Sequence, residues 1–167
     1  MDIKSIKKAM AGMFRTLYVL DSSGNPTQQH MTAYSEAPMS LAEPVLPAWI
    51  FFTGNANYPV PPDQTDGRLA KETRDFTACL YVMYTQAGID GEAERRCEPY
   101  VDYARNLIQS HPLFYDGNPS DVVPGIMRAY LVRDDGITPL KYGNDSYIGL
   151  RFHIRVEGLN QVNYGNE

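Results

Sequence analysis

Three histidines, two cysteines and one pair of adjacent aspartates are the residues of this chain best suited to carry chemistry. A zinc site typically contains two histidines or two cysteines that are separated by only a few residues in the sequence. His30, His111 and His153 show no such spacing, and Cys79 and Cys97 are too far apart to form a Cys-x-x-Cys pair. The sequence therefore predicts no metal site.

The remaining residues that could support catalysis each have a simpler structural explanation. Cys97 could act as a nucleophile with a histidine as base, but it falls on the apolar stripe of a predicted helix and is expected in the core. Asp134 and Asp135 precede Gly136, a pattern that is typical of a hairpin turn rather than of a catalytic carboxylate pair. The chain contains no G-x-S-x-G, P-loop or G-x-G-x-x-G motif. We therefore predict neither enzymatic activity nor a cofactor.

Residues 147–156 carry the clearest pattern in the chain, Y-I-G-L-R-F-H-I-R-V. Because side chains alternate between the two faces of a strand, this pattern predicts one apolar face and one polar, basic face. Such a strand belongs in an antiparallel or mixed sheet that is covered on one side only. The apolar face would contain Ile148, Leu150, Phe152, Ile154 and Val156, and the basic face Tyr147, Gly149, Arg151, His153 and Arg155.

The basic face of this strand has three possible interpretations, since like charges in a row repel one another and are rarely placed for stability. The face could be solvated, it could meet acidic groups on a neighbouring subunit, or it could line a channel for DNA. Twelve tyrosines favour an interface, because tyrosine brings contact area together with a hydroxyl group. Aromatic and basic residues could also stack on nucleic-acid bases, but the net charge of -5 argues against general nucleic-acid affinity.

The overall composition is that of an ordinary globular protein. The chain has 167 residues, of which 43% are hydrophobic, and this predicts one domain over residues 1–167 with a substantial core. No apolar run approaches the roughly 18 residues of a membrane-spanning helix, and the N-terminal residues lack the apolar stretch of a signal peptide. We therefore expect no membrane partner and two buried, reduced cysteines, with a disulfide as the alternative.

Helical periodicity is present in two segments. Apolar residues predict a first helix from about residue 2 to about residue 17, with Asp2 as its N-cap. Three lysines lie on the opposite side of this helix, so a helix lying on a membrane surface is the alternative. A second apolar stripe predicts the main helix from Glu92 to about Ser110. The stripe keeps its phase across Pro99, which favours one bent helix.

Short apolar or alternating segments predict the strands, and proline and glycine predict the loops. Four strands are expected, at Trp49–Thr53, Glu72–Tyr84, Val122–Val132 and 147–156. Two long loops are expected at residues 21–47 and 54–71, and the polar tail 158–167 is expected to fray. The fold class is therefore α+β, a mostly antiparallel sheet of about four strands with two main helices packed on one face.

The order and spacing of these elements resemble the tail-terminator family of long-tailed bacteriophages, whose members are also described as tail-completion or neck proteins. The resemblance covers roughly residues 46–156, and the polar segment 27–47 departs from the family pattern. Four segments carry it: L-P-A-W-I-F-F at 46–52, E-T-R-D-F at 72–76 leading into L-Y-V at 80–82, G-E-A-E at 91–94 with C-E-P at 97–99, and Y-I-G-L-R-F at 147–152.

The resemblance implies a structural virion protein that has no catalytic residues and no cofactor. Its members form a homohexameric ring on the end of the tail tube, stop polymerisation of the tube protein and present a face to the head-neck connector proteins. Phage DNA would pass through the ring without sequence-specific binding. The protein would be assembled in the host cytoplasm and located in the virion. Competing hypotheses are another neck or minor tail protein, a non-enzymatic soluble binding module, and a small enzyme.

Physical arguments, rather than family motifs, select the residues that we expect at interfaces. A long irregular segment in a compact domain is often functional, so residues 54–71 are expected to contact neighbouring subunits. The basic face of the last strand is expected at a subunit surface or at the lumen of the ring. The predicted interface residues are Tyr58, Asp63, Asp66, Arg68, Arg74, Arg151, His153 and Arg155.

Overall fold

A computed structural model describes residues 2–57, 69–85, 89–114 and 123–161 of the chain. The described residues form two α-helices, a short 3-10 helix at Glu43–Val45 and seven strands. Helix α1 spans Ile3–Phe14 and helix α2 spans Gly91–Ser110. The strands are β1 Tyr18–Leu20, β2 Pro26–His30, β3 Thr32–Tyr34, β4 Ala48–Asn57, β5 Leu69–Tyr84, β6 Ile126–Tyr142 and β7 Asp145–Gln161.

Five of the strands form one mixed sheet in the order β3-β4-β5-β7-β6. Strands β3 and β4 are parallel, and the other neighbouring pairs are antiparallel. The α+β class is confirmed, but the sheet has five strands rather than about four. Strand β3 was missed because three residues are too few to show a clear alternation.

Both helices begin at an aspartate that caps the first turn. The Asp2 carboxylate accepts hydrogen bonds from the N–H groups of Lys4 and Ser5, and the Asp90 carboxylate caps α2 in the same way. Helix α2 continues through Pro99 without interruption. The N-cap at Asp2 and the continuous main helix are therefore confirmed.

The main hydrophobic core lies between the two helices and one face of the five-stranded sheet. The ring centroids of Phe14 in α1 and Trp49 in β4 are 4.3 Å apart, and those of Trp49 and Phe152 in β7 are 5.8 Å apart. The apolar face predicted for the last strand is confirmed, since each of its members is at most 1% exposed: Ile148, Leu150, Phe152, Ile154 and Val156.

The apolar side of α1 faces this core. Ile6, Met10 and Phe14 are fully buried there, so they are not free to enter a membrane surface. This finding overturns the interpretation of α1 as a membrane-surface helix. Within the described ranges, no helix is both long enough and apolar enough to cross a bilayer.

Strands β1 and β2 form a separate two-stranded sheet that is attached to α2. The hydroxyl oxygens of Tyr100 and Tyr103 accept hydrogen bonds from the N–H groups of Leu20 and Tyr18, at 2.9 and 3.3 Å. The turn between the two strands contains Gly24, whose φ of 80° suits glycine. The small sheet thus forms a wall beside α2 on the helical side of the molecule.

A second, smaller hydrophobic cluster lies on the opposite face of the sheet, near the β6–β7 hairpin. Residues 38–45, which we call the strap, cover part of this cluster. The Tyr147 hydroxyl donates to the Leu41 carbonyl at 2.9 Å, and the Tyr142 hydroxyl donates to the Pro38 carbonyl. Tyr147 is consequently only 2% exposed, which corrects its assignment to the exposed, basic face of the last strand.

The two predicted loops contain more regular structure than expected. The segment 21–47 includes β2, β3 and the 3-10 helix, so its assignment as a loop is wrong for those residues. Strand β4 continues to Asn57 and β5 begins at Leu69, so both strands extend into the predicted loop 54–71. Sheet pairing stabilises these ends although their own sequences carry weak strand signals.

The predicted hairpin turn at Asp134–Gly136 is also corrected. Strand β6 runs through this segment, with a register shift against β7 between Asp134 and Ile137. Gly136 has a φ of 67°, as expected for a bulge in a continuing strand rather than a reversal of the chain. The chain reverses at Gly143 and the following residue, where φ of Gly143 is 60°.

The predicted frayed tail is corrected in part. Residues 158–161 belong to β7, where they pair with the first residues of β5. Their polar composition gave no strand signal, and pairing with β5 supplies the backbone hydrogen bonds instead. Residues 162–167 of the predicted tail lie outside the described residues.

We predict that Gly149→Ala lowers the free energy of unfolding by about 3 kcal/mol, which is typical of severe overpacking. A methyl group at this position of β7 would overlap the carbonyl oxygen of Leu80, and that backbone oxygen cannot move without separating β5 from β7. Chemical denaturation measures the change.

Gly12→Ala is the matched control for this substitution. A Cβ at Gly12 in α1 would have open space around it, so the variant should gain about 0.5–1 kcal/mol from helix propensity. Equal effects of the two substitutions would contradict the close approach of β5 and β7 at Gly149.

Candidate functional site

The sheet face opposite the helices carries a continuous array of charged side chains. Arg151, His153 and Arg155 lie on this face because the residues that alternate with them in β7 are buried in the main core. Strands β5 and β6 flank β7 on its two sides and add further charges. We call this surface the charged face and define it by nine residues: Lys71, Asp75, Arg128, Arg133, Asp135, Arg151, His153, Arg155 and Glu157.

The charges on this face neutralise one another to a large extent. Each of the five lysine and arginine side chains lies within 3.5 Å of one of the three carboxylates. With His153 neutral, the face carries a formal charge of +2, from five cations and three anions. One of the three sequence-based interpretations placed acidic partners on a neighbouring subunit, whereas the structure shows carboxylate partners within the same chain. The carboxylates that separate the cations come from three different strands.

Arg155 of β7 and Asp75 of β5 form a pair with two parallel hydrogen bonds. The Nε–Oδ1 distance is 2.7 Å and the Nη2–Oδ2 distance is 3.1 Å. The same contact raises the pKa of Arg155 above its ordinary value. Both side chains are more than a third exposed, so the pair contributes little to stability. Its effect is to hold the guanidinium group in one orientation on the surface.

Asp135 of β6 is the acceptor for three side chains. His153 Nε2 lies 2.9 Å from Asp135 Oδ2, and Arg133 and Arg151 lie 3.3 and 3.5 Å from the same carboxylate. Because a carboxylate only accepts, the short contact assigns the Nε2 proton to His153. The hydrogen bond from His153 is the main cause of the lowered pKa of Asp135. The bulge in β6 brings this carboxylate onto the charged face.

Glu157 of β7 is the acceptor at the far end of the charged face. Its carboxylate lies 2.8 Å from Arg128 Nε, 3.5 Å from Lys71 Nζ and 3.1 Å from the Tyr130 hydroxyl. The hydrogen bond from Arg128, followed by that from Tyr130, lowers the pKa of Glu157 to about 2. Glu157 is 9% exposed, and its side chain is the least exposed of the three carboxylates on the face.

Three large apolar side chains are exposed among these charges. Phe52 of β4 is 36% exposed, Val132 of β6 48% and Leu159 of β7 38%. Val132 lines a shallow depression of about 170 Å³ whose other walls include Asp75, His153 and Arg155. Exposed apolar side chains on the same face as arginine are a composition found in protein–protein contacts. The charged face therefore has the chemistry of an interaction surface.

A groove of about 440 Å³ lies on the helical side, between α2, the β1–β2 sheet and the residues that precede β4. Its lining includes Val19, Leu20 and Val82, with Arg95 and Arg96 at the rim. Histidine and cysteine are absent from the residues that line it. The groove can therefore hold an apolar group beside a negative charge, but it does not offer a cysteine or histidine for nucleophilic catalysis.

The structure brings together three of the predicted interface residues and separates a fourth from them. Arg151, His153 and Arg155 lie side by side on the charged face. Arg74 pairs in register with Val156, so it lies on the helical face instead, where it forms an ion pair with Glu72. The other predicted interface residues lie outside the described part of the chain: Tyr58, Asp63, Asp66 and Arg68.

Sequence reasoning missed the acidic partners on this face. Glu157 follows Arg155 by two residues, and Asp75 comes two residues before Thr77 on the less apolar side of β5. Strand alternation could therefore have placed both carboxylates on the polar face of the sheet. Asp135 gave no usable signal, because the segment D-D-G is typical of a turn. The three carboxylates meet the basic residues through strand pairing between segments that are distant in the sequence.

The residues most suited to catalysis or metal binding do not converge. No three histidine, cysteine, aspartate or glutamate side chains in the described ranges are arranged to hold a metal ion. Cys79 and Cys97 are free and buried, and burial raises the pKa of each thiol to about 11. Both thiols are therefore protonated and weakly nucleophilic at neutral pH.

Neither a protein-family model nor a curated protein sequence matches this chain.

We predict that Glu157→Gln lowers stability at neutral pH and that the deficit shrinks as the pH falls. The folded pKa of about 2 lies below the ordinary value of 4.5. The ionised carboxylate therefore stabilises the fold above pH 4.5, and this contribution is lost as the pH falls towards 2. Urea denaturation at a series of pH values measures the difference between the variant and the wild type.

Glu98→Gln in α2 is the control, because Glu98 is exposed and forms no ion pair with any described residue. This variant should follow the wild-type pH dependence throughout. A deficit for Glu157→Gln that stays constant between pH 7 and pH 2 would contradict the proposed charge network.

Proposed function

We propose that this chain is a structural protein of long-tailed bacteriophage virions that acts as a tail terminator. It forms a homohexameric ring on the end of the tail tube, stops polymerisation of the tube protein and offers the opposite side of the ring to head-neck connector proteins. The observation that carries the proposal is the charged face, where exposed Phe52, Val132 and Leu159 lie among arginines that are held in place. The resemblance of residues 46–156 to that family supplies the biological setting.

The fixed arginines support a contact with another protein subunit. Arg155 and Arg128 are each held by a carboxylate of the same chain, so little side-chain entropy is left to lose when a partner binds. The excess positive charge of the face suits an acidic partner surface. The rest of the chain is acidic overall, because the net charge is -5 while this face is positive.

A ring requires contacts in which one patch meets a different patch on the next copy. The fold offers two unlike surfaces for this purpose, a positively charged sheet face and a helical side. An acidic body also limits non-specific attachment to DNA that passes through the ring. Because the cations of the charged face already have carboxylate partners, few of them remain to neutralise phosphates.

We propose no catalytic step and no cofactor for this protein. The alternative functions are those of another neck or minor tail protein and of a non-enzymatic binding module. Both would also use the charged face, but neither would control the length of a tail tube. Length control is therefore the property that separates the proposed function from its alternatives.

We predict that the purified protein binds the ends of tail tubes and stops their growth. Tube protein from the same phage is polymerised with and without this chain, and tube lengths are measured by negative-stain electron microscopy. Added protein should shorten the length distribution and occupy tube ends. Unchanged tube lengths and bare ends would exclude the tail-terminator function.

A charge-swapped variant separates the contribution of the charged face to tube capping from its contribution to folding. Arg155→Glu alone would place two carboxylates together, whereas Asp75→Arg with Arg155→Glu keeps an ion pair and reverses its polarity. We expect the double variant to fold normally and to lose tube capping.

Exchanging Arg105 and Asp134 in a chain that also carries Asp102→Asn is the control for this variant. Arg105 and Asp134 form a 2.8 Å ion pair between α2 and β6, away from the charged face, and Asp102 is neutralised because its carboxylate lies 2.8 Å from Arg105. Their exchange should leave capping intact. Full capping by the Asp75→Arg/Arg155→Glu variant would show that the charged face is not needed for tube capping.

A further inference from the structure

The groove on the helical side is bordered by charges of both signs. Arg95 and Arg96 lie on α2 together with Glu92, and Asp21 follows β1. All four side chains are exposed, and none of them forms an ion pair with a described residue. Their formal charges sum to zero, from two cations and two anions. A ligand with a single charge would meet repulsion as well as attraction, whereas a ligand that carries both charges can use all four groups.

Glu92, Arg96 and Tyr100 form a row along the groove side of α2. Residues four apart in an α-helix lie on the same face, and a glutamate four residues before an arginine is well placed to pair with it. Glu92 and Arg96 nevertheless form no ion pair with each other. The row therefore presents a carboxylate, a guanidinium and a hydroxyl group to a ligand along one wall of the groove.

The Tyr100 hydroxyl is a hydrogen-bond donor that the described part of the fold does not use. Tyr100 is 4% exposed, and its oxygen accepts the N–H of Leu20 at 2.9 Å. No described residue accepts the proton of this hydroxyl. Burial raises the pKa of Tyr100, so the hydroxyl keeps its proton at neutral pH. A buried O–H group that has no acceptor within the fold is suited to donate to a bound ligand.

The groove also has an apolar part. Val19 and Leu20 of β1 and Val82 of β5 line it, together with Leu46 and Pro47 before β4. Its volume of about 440 Å³ falls within the range of small-molecule sites. An apolar group of a ligand can therefore be buried in the groove while the charged groups of the same ligand stay at the rim.

We propose that this groove binds an α-amino acid with an apolar side chain. Arg96 and the Tyr100 hydroxyl donate to the ligand carboxylate. Glu92 accepts from the ligand ammonium group, as does the second carboxylate oxygen of Asp21, which takes no hydrogen bond from a described residue. Val82 contacts the ligand side chain. This site lies on the helical side and is independent of the proposed ring, which uses the charged face.

Titration of the full chain with leucine, followed by two-dimensional NMR, tests the site. Three analogues each lack one recognised feature: N-acetyl-leucine has no ammonium charge, leucinamide has no carboxylate, and glycine has no apolar side chain. Leucine should bind at least about fivefold more tightly than each analogue, because a charge-assisted hydrogen bond or the burial of an apolar group is lost and solvent screens the exposed rim. Leucine that does not bind at its solubility limit, or that binds no more tightly than the analogues, would overturn the inference.

Two substitutions assign the charged groups. Glu92→Gln should reduce the preference for leucine over N-acetyl-leucine to within about twofold and keep the preference over leucinamide, and Arg96→Gln should do the reverse. Glu98→Gln is the matched control, because Glu98 is exposed on α2 and does not line the groove. All three positions are exposed, so folding should be unaffected, as thermal denaturation checks. Equal ligand preferences in the three variants would place binding elsewhere on the chain and overturn the inference.

Discussion

The pairing of β7 between β5 and β6 is the constraint on which the rest of this structure depends. Side chains of a strand alternate with a period of two, so the pairing register decides which residues of β7 face the helices. In the observed register Phe152 and Ile154 are buried. The basic residues between and beside them form ion pairs or hydrogen bonds with Asp135 and Asp75. A shift by one residue would bury two arginines and expose the aromatic core. Burial of unpaired charge is costly enough to exclude that arrangement.

The two faces that this register creates are used differently. One face is closed by α1 and α2 around Trp49, and the other is covered by the strap near the hairpin and left open over the charged face. The edges of the sheet are poorly suited to pairing with another chain. The Arg15 side chain donates to the Ala33 carbonyl on β3, and β6 has three register shifts and contains Pro139. Both features disfavour association through the edges of the sheet.

Local patterns in the sequence predicted the parts of the fold that depend on local physics. The alternation in β7, the aspartate cap at Asp2 and the apolar stripe of α2 across Pro99 are confirmed, because each depends on neighbouring residues in the chain. The continuation of β6 through Asp135 was missed, since a bulge and a turn share the same residues in sequence. The burial of Tyr147 was also missed, because the strap that covers it is about a hundred residues away in the chain.

The candidate site was half predictable for the same reason. The three basic residues of β7 lie in one alternating segment, so their common face could be read from the sequence. Their carboxylate partners come from β5 and β6, and only the tertiary pairing brings Asp75 and Asp135 beside them. The groove depends on contacts between β1, β5 and α2, which no local pattern encodes. Long-range pairing therefore determines the chemistry of both surfaces.

The solution mass of the full chain, measured by light scattering over a range of concentrations, tests the central claim most directly. The account predicts a species of six copies, which for a chain of 18.8 kDa corresponds to about 113 kDa, growing at the expense of the single chain as concentration rises. A mass of 18.8 kDa at every concentration would contradict the claim that this fold builds a ring through its own faces.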